Sequence, residues 1–203
     1  MVKNIFIVAN RKHEERYCNA AGVRFDRETR ERRISEINKK CSVGENDLVV
    51  RLNEDDDMTI FNGRVDIIAA RRGFCLKSKR PLYHCAYYDG DELKLYLKCN
   101  NIILVDDCFD ESTVNNIVST NKIKSVKLVR ITDQTHSTGK IIFEYFYENY
   151  PQSNIYLVGF NSHSDVEKTN LKDGHNWSGE REYFREKLKE QRIHNEPYEE
   201  ICQ

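Results

Sequence analysis

No stretch of the 203-residue chain approaches the roughly 18 to 20 consecutive apolar residues that a membrane-spanning helix needs. Proline is scarce, at three residues, and none of the three marks a linker, so a division into domains finds no support. Charge of one sign is not in excess: 32 Lys plus Arg stand against 33 Asp plus Glu. That balance gives no long-range field to draw the whole chain onto nucleic acid or an acidic membrane. Seven cysteines are present, an odd number, and no two are spaced as Cys-x-x-Cys, so neither a zinc site nor a thioredoxin motif is indicated. Scattered thiols suit a reducing compartment, and the expectation is a cytoplasmic protein. The opening run Met1 to Asn10 is too short in apolar residues for a signal peptide and reads as a buried first strand.

What is present is an alternation of short apolar runs with helical patterns. Ile5 to Ala9, Asp47 to Leu52, Val65 to Ala70, Tyr83 to Tyr88, Leu93 to Leu97, Ile102 to Val105, Ser125 to Ile131 and Ile155 to Gly159 read as strands. Turn chemistry bounds several of them, at Gly44-Glu45-Asn46, Asn62-Gly63 and a hairpin-like Asp89-Gly90. Arg24 to Lys40, Glu111 to Thr120, Thr138 to Tyr150 and Ser178 to Arg192 read as helices. In the third of these, Ile141, Ile142, Tyr145 and Phe146 share one face. The pattern predicts one α/β domain over residues 1–203, a mainly parallel twisted sheet with helices on both faces. Residues 5–9, 48–52, 126–130 and 155–158 are expected as neighbouring inner strands.

Chemistry concentrates in the last third of the chain. Ser137-Thr138-Gly139 opens a helix with hydroxyl caps and free backbone N–H groups, a ready anion site. Gly159-Phe160 ends a strand at the carboxyl edge, where open α/β sheets bind ligands. His175 follows in a polar loop. Glu180 falls in the first turn of the next helix, where a carboxylate is favoured and could orient the imidazole. His163 lies in the turn-like Asn161-Ser162-His163-Ser164-Asp165, and His136 directly precedes the helix cap. Arg51, at a strand end, reads as a salt-bridge partner or as a support for the site.

Ser137-Thr138-Gly139, a helix, and Ile155-Tyr156-Leu157-Val158-Gly159-Phe160 together resemble the small sialyl motif of sialyltransferases. His175 to Glu180 is similar to the very small motif, His-x4-Glu, whose histidine is that family's general base. Phe6-Ile7-Val8-Ala9-Asn10, Leu48-Val49-Val50-Arg51-Leu52-Asn53 and Phe61-Asn62-Gly63-Arg64-Val65-Asp66 resemble its large motif, whose asparagines meet the nucleotide. The resemblance implies a Rossmann-like sheet of the sialyltransferase variant of the GT-A fold. It implies Asn10, Asn53, Ser137, Thr138, Gly139 and Gly159 as nucleotide-binding residues, with His175, Glu180 and His163 as catalytic ones.

The reaction implied is inverting transfer of a sugar such as sialic acid or Kdo from a CMP-activated donor to an acceptor hydroxyl. That acceptor would be a glycan or glycolipid in surface polysaccharide or lipooligosaccharide synthesis. Neutral His175 takes the acceptor proton as the hydroxyl attacks the anomeric carbon. The helix terminus and His163 stabilise the departing phosphate. No cofactor is expected, and no metal, because a monophosphate leaves rather than a pyrophosphate. No nucleic acid is expected as a partner, and peripheral membrane contact stays open.

Two alternatives stand beside this reading. Asp55 and Asp57, in Glu54-Asp55-Asp56-Asp57, form the Asp-x-Asp pattern of metal-dependent UDP- or GDP-sugar transferases, and Asp106-Asp107 also follows a strand-like run. A non-catalytic nucleotide-binding protein is the other. It is favoured by the turn Ala9-Asn10-Arg11-Lys12, which lacks the family's glycine beside the asparagine.

Overall fold

The first apolar run forms β1 (Asn4–Val8), and neither face of it is open to water: Ile5, Phe6, Ile7 and Val8 are all buried. A strand covered on both sides has to be apolar at every position, which is why this run does not alternate. The computed structural model describes residues 1–9, 17–18, 24–25, 28, 32, 35, 38, 43–52, 60–71, 101–106, 124–131, 133, 135–158, 160 and 176–195.

Two short strands, β2 (Tyr17–Cys18) and β3 (Arg24–Phe25), pair antiparallel apart from the main sheet. The stretch expected to be helical from Arg24 thus begins as a strand, although Glu28, Arg32, Ser35 and Asn38 do take helical conformation. There follow β4 (Leu48–Leu52), a 3-10 turn (Ile60–Gly63), β5 (Ile67–Arg71), β6 (Asn101–Asp106) and β7 (Ser125–Arg130). The chain continues through α1 (Thr138–Asn149), β8 (Asn154–Val158), α2 (Trp177–Lys187) and β9 (Ile193–Asn195). The segments expected as strands at 83–88 and 93–97, the hairpin at 89–90 and the helix at 111–120 lie outside the described residues.

Among the described residues seven strands form one sheet in the order β7-β6-β5-β4-β1-β8-β9, and every pairing in it is parallel. From β1 the strands step outward through β4, β5 and β6 to β7; β8 then returns to the free flank of β1, and β9 lies beyond it. Crossovers between parallel strands are right-handed, so reversing the direction of travel moves the connections to the other face. Accordingly α1 and α2 share a face, where Phe184 meets Phe143 edge-on with centroids 5.3 Å apart. Ile5, Ile7, Val50, Leu52, Ile142, Phe143, Phe146, Ile155 and Leu157 form the core on that side. On the opposite face Phe6, Val8, Val49, Phe61 and Val158 pack together, and the Phe61 N–H donates to Asn38 Oδ1 at 2.6 Å.

Two expectations need correction. Residues 126–130 are not an inner neighbour of β1; β7 is the edge strand, and its residues are mostly exposed, Leu128 among them. Its Lys127 and Arg130 are an ordinary way to blunt an open edge. Nor does the last helix reach Arg192: it stops at Lys187, two turns follow, and Ile193 pairs with Ile155. No glycine or proline marks that stop, so helical spacing alone overran it.

Candidate functional site

In a doubly wound sheet the ligand crevice lies outside the carboxyl ends of the strands, where the direction of travel reverses. Here that is beside β1, between β4 and β8. Ala9 extends the pairing past the end of β1, its N–H donating to the Val158 carbonyl at 2.8 Å.

The first turn of α1 covers this point. Gly139 is packed so tightly that a Cβ there would lie 2.9 Å from Cε1 of Phe160, just beyond β8, and 3.4 Å from Cδ1 of Leu52, the last residue of β4. Phe160 is itself buried and lies edge-on to Phe184 at 5.4 Å. Only glycine lets the α1 backbone approach the two strand ends this closely.

Ser137 is the N-cap of α1, its Oγ accepting from the Lys140 N–H at 3.2 Å. The anion expected at this terminus is present as one of the protein's own carboxylates. Glu180, buried in the first turn of α2, accepts from the Ser137 N–H with Oε1 and from the Ser137 hydroxyl with Oε2, the latter at 2.7 Å. The Ser137 donors are thereby committed to α2 rather than left for a ligand. Among the described residues, the N–H groups of Thr138 and Gly139 have no acceptor. A second tie lies next to the first: the N–H of Asn176, the residue after His175, donates to the Thr135 carbonyl at 3.0 Å. Asn176 then caps α2, its Oδ1 accepting from the Gly179 N–H at 3.1 Å.

Beside these ties lies a polar cluster. Lys140 is buried; its Nζ donates to Glu144 Oε1 at 2.8 Å and lies 4.7 Å from the Tyr183 ring centroid. The same Nζ lies 3.1 Å from Nδ1 and 3.0 Å from Nε2 of His136, and Asp133 Oδ2 is 3.4 Å from Nε2. The Thr135 hydroxyl and then its N–H donate to Asp133 and hold that carboxyl below its usual range, against a small opposing effect of burial. Burial, then the Glu144 carboxylate that accepts its hydrogen bond, pushes the Tyr183 phenol well above its ordinary value.

Of the expected site residues, Ser137, Thr138, Gly139 and Glu180 come together at the carboxyl edge. Asn10, Asn53, Gly159, His163 and His175 lie outside the described residues, as do Asp55, Asp57 and Asp107. Among the described residues no group of three or more His, Cys, Asp or Glu could hold a metal ion. Arg51 is buried, its Nε donating to the Arg64 carbonyl at 3.1 Å. Arg64 and Asp66 work at the opposite, amino edge. Arg64 Nε meets Asp66 Oδ2 at 3.0 Å, and that oxygen accepts from the Val49 N–H at 2.8 Å.

Asp133, Thr135, Lys140 and Asn176 were not anticipated from sequence. Asp133-Gln134-Thr135 is a legible turn signature, and His136, Lys140 and Glu144 fall on one helical face by i, i+4 spacing. The burial of Lys140 had no such signal, because lysine is almost never buried unless paired.

No helix among the described residues is long and apolar enough to cross a membrane. No protein-family description, curated protein or solved structure matches the chain.

Proposed function

We propose that the chain is a cytoplasmic, inverting glycosyltransferase of sialyltransferase type, moving a sugar such as sialic acid or Kdo from a CMP-activated donor to a glycan acceptor. The observation that carries this reading is the seat of Ser137-Thr138-Gly139 on the carboxyl ends of β4 and β8, at the reversal of the sheet. The residues that resemble the small sialyl motif therefore lie at the carboxyl edge of a doubly wound sheet. Ser137 and Glu180, from the two stretches that resemble the small and very small motifs, are hydrogen-bonded to each other.

In this reading the N–H groups of Thr138 and Gly139 face the leaving phosphate. Neutral His175 removes the acceptor proton from the other side of the anomeric carbon. Glu180 acts through α1, fixing the helix terminus against the start of α2, rather than as the direct partner of the imidazole.

Calorimetry with CMP, UDP and GDP, each with and without magnesium, tests the donor. CMP alone should bind, and its affinity should not depend on the cation. Magnesium-dependent UDP or GDP binding would replace this reading with the Asp55 and Asp57 alternative. His175→Ala should lower transfer by about 10²- to 10⁴-fold while CMP affinity stays within a few-fold. One observation favours the non-catalytic alternative: a carboxylate already holds the Ser137 donors. CMP binding with no transfer to any glycan acceptor would establish it.

A further inference from the structure

Resting on that reading, we propose that His136 is a positioning residue of the same site, which fixes where the chain enters α2 immediately after His175. Thr135 and His136 turn back onto Asp133. Asp133 Oδ1 accepts from the Thr135 N–H at 2.8 Å and its hydroxyl at 2.7 Å, and the His136 N–H donates to the Asp133 carbonyl at 3.2 Å. Both sides of the start of α2 hang from this turn, Asn176 from the Thr135 carbonyl and Glu180 from Ser137.

What fixes the turn is the imidazole. Asp133 Oδ2 lies 3.4 Å from Nε2, and the Lys140 ammonium lies 3.1 Å from Nδ1 and 3.0 Å from Nε2. The ring thus stands between an exposed carboxylate on the turn and a buried cation on α1. Lys140 is itself held by Glu144 and lies against the Tyr183 ring, so it is a rigid anchor. The path runs from α1 through Lys140, His136 and the turn to the backbone of Asn176, and each link is a contact of 3.4 Å or less.

Position alone would also suit a ring that merely fills space, and two variants separate these roles. His136→Gln can still donate to Asp133 and accept from Lys140, whereas His136→Phe keeps the ring and loses both contacts. Amide hydrogen exchange at Asn176 and Ser137 reads the coupling directly, with Ile155 in β8 as the internal control for folding. His136→Phe should speed exchange at Asn176 by about tenfold or more with Ile155 unchanged, and His136→Gln should stay within about threefold of the parent. In transfer assays with a CMP-sugar, the Phe variant should lose about tenfold in kcat with donor KM nearly unchanged, and Gln should restore it. Asp133→Asn, on an exposed residue, repeats the test if the Phe variant does not fold. Unchanged exchange at Asn176, a Gln variant as impaired as Phe, or faster exchange with a normal kcat would each overturn the proposal. A parent chain with no transfer activity would instead remove the glycosyltransferase reading, and the exchange measurements would still decide whether His136 holds the turn.

Discussion

Ser137 gives both of its donors, the backbone N–H and the hydroxyl, to the single carboxylate of Glu180. The contact joins the N-termini of two helices that lie on the same face of the sheet, and it places a buried negative charge where the dipole of α1 favours one. Ser137 also caps α1, so one side chain serves both helices.

Glu180→Gln should destabilise the fold by about 1–3 kcal/mol, because an amide group would be set against a buried donor. Ser137→Ala should cost about 0.5–2 kcal/mol through the lost cap alone. A double-mutant cycle by urea unfolding checks the pairing: the two losses should not add, since either change already breaks the contact. Strict additivity would mean that the two residues do not depend on each other.

Gly139→Ala is the second case. The new methyl would meet Phe160 at 2.9 Å and 3.3 Å, and Phe160 is held by Phe184. Overpacking of this kind costs about 1–3 kcal/mol, against a gain of about 0.5–1 kcal/mol from replacing glycine inside a helix. The net effect should be destabilising, and Phe160→Leu in the same chain should recover part of it. A neutral Gly139→Ala would show that the Phe160 ring moves aside freely.

These two cases also show how far the sequence could be read. The strands around β1 were legible because burial on both faces demands unbroken apolar runs such as Ile5 to Val8, and α1 because Ile141, Ile142 and Phe146 keep helical spacing with a serine cap. The rank of β7 within the sheet was not legible. Its Val126 and Val129 look like core residues, and only the strand order shows that β7 is the last of the described strands on that side. β9 was hidden for a different reason: three residues, Ile193 to Asn195, are too few for any period to appear. At the site, Ser137 and Glu180 could each be named from their motifs. Their pairing could not, because it depends on the helices sharing a face, which follows from the return of β8 to the flank of β1.

Phe143 anchors the core between α1 and α2. It is fully buried and lies edge-on to Phe184 at 5.3 Å and to Tyr183 at 6.0 Å. Truncating a buried phenylalanine costs about 3–5 kcal/mol. Phe143→Ala should therefore remove a large part of the stability of the fold, and the urea midpoint should fall accordingly. Phe143→Leu should lose clearly less, since most of the volume is kept.

The last prediction concerns pH and the far ends of the same two helices. The Tyr147 ring lies between the Lys187 Nζ, 3.9 Å from its centroid, and the Arg192 guanidinium carbon at 4.1 Å. The Tyr147 hydroxyl donates to Glu190 at 3.0 Å and Lys187 donates to it at 2.9 Å. The hydrogen bond from Lys187 holds the Glu190 carboxyl below its ordinary value, opposed by burial and aided by Tyr147. For Lys187, burial pulls downward, but the bonds with Tyr147 and Glu190 outweigh it and the net direction is up. A lowered carboxylate contributes stability above its unfolded pKa, about 4.3, and loses it as pH falls through the folded value. A raised ammonium contributes below its unfolded pKa, about 10.4, and loses it as pH climbs through the folded value. Between those limits the cluster should contribute a constant amount. Because Glu190 is more than a third exposed, water screens the pair, and its worth should be about 0.2–1 kcal/mol. Urea unfolding of the parent and of Glu190→Gln between pH 3 and pH 7 checks this. The parent should lose its advantage below about pH 4.5 and the two curves should converge in acid. Curves that stay parallel down to pH 3 would show that Glu190 titrates alike in the folded and unfolded chain.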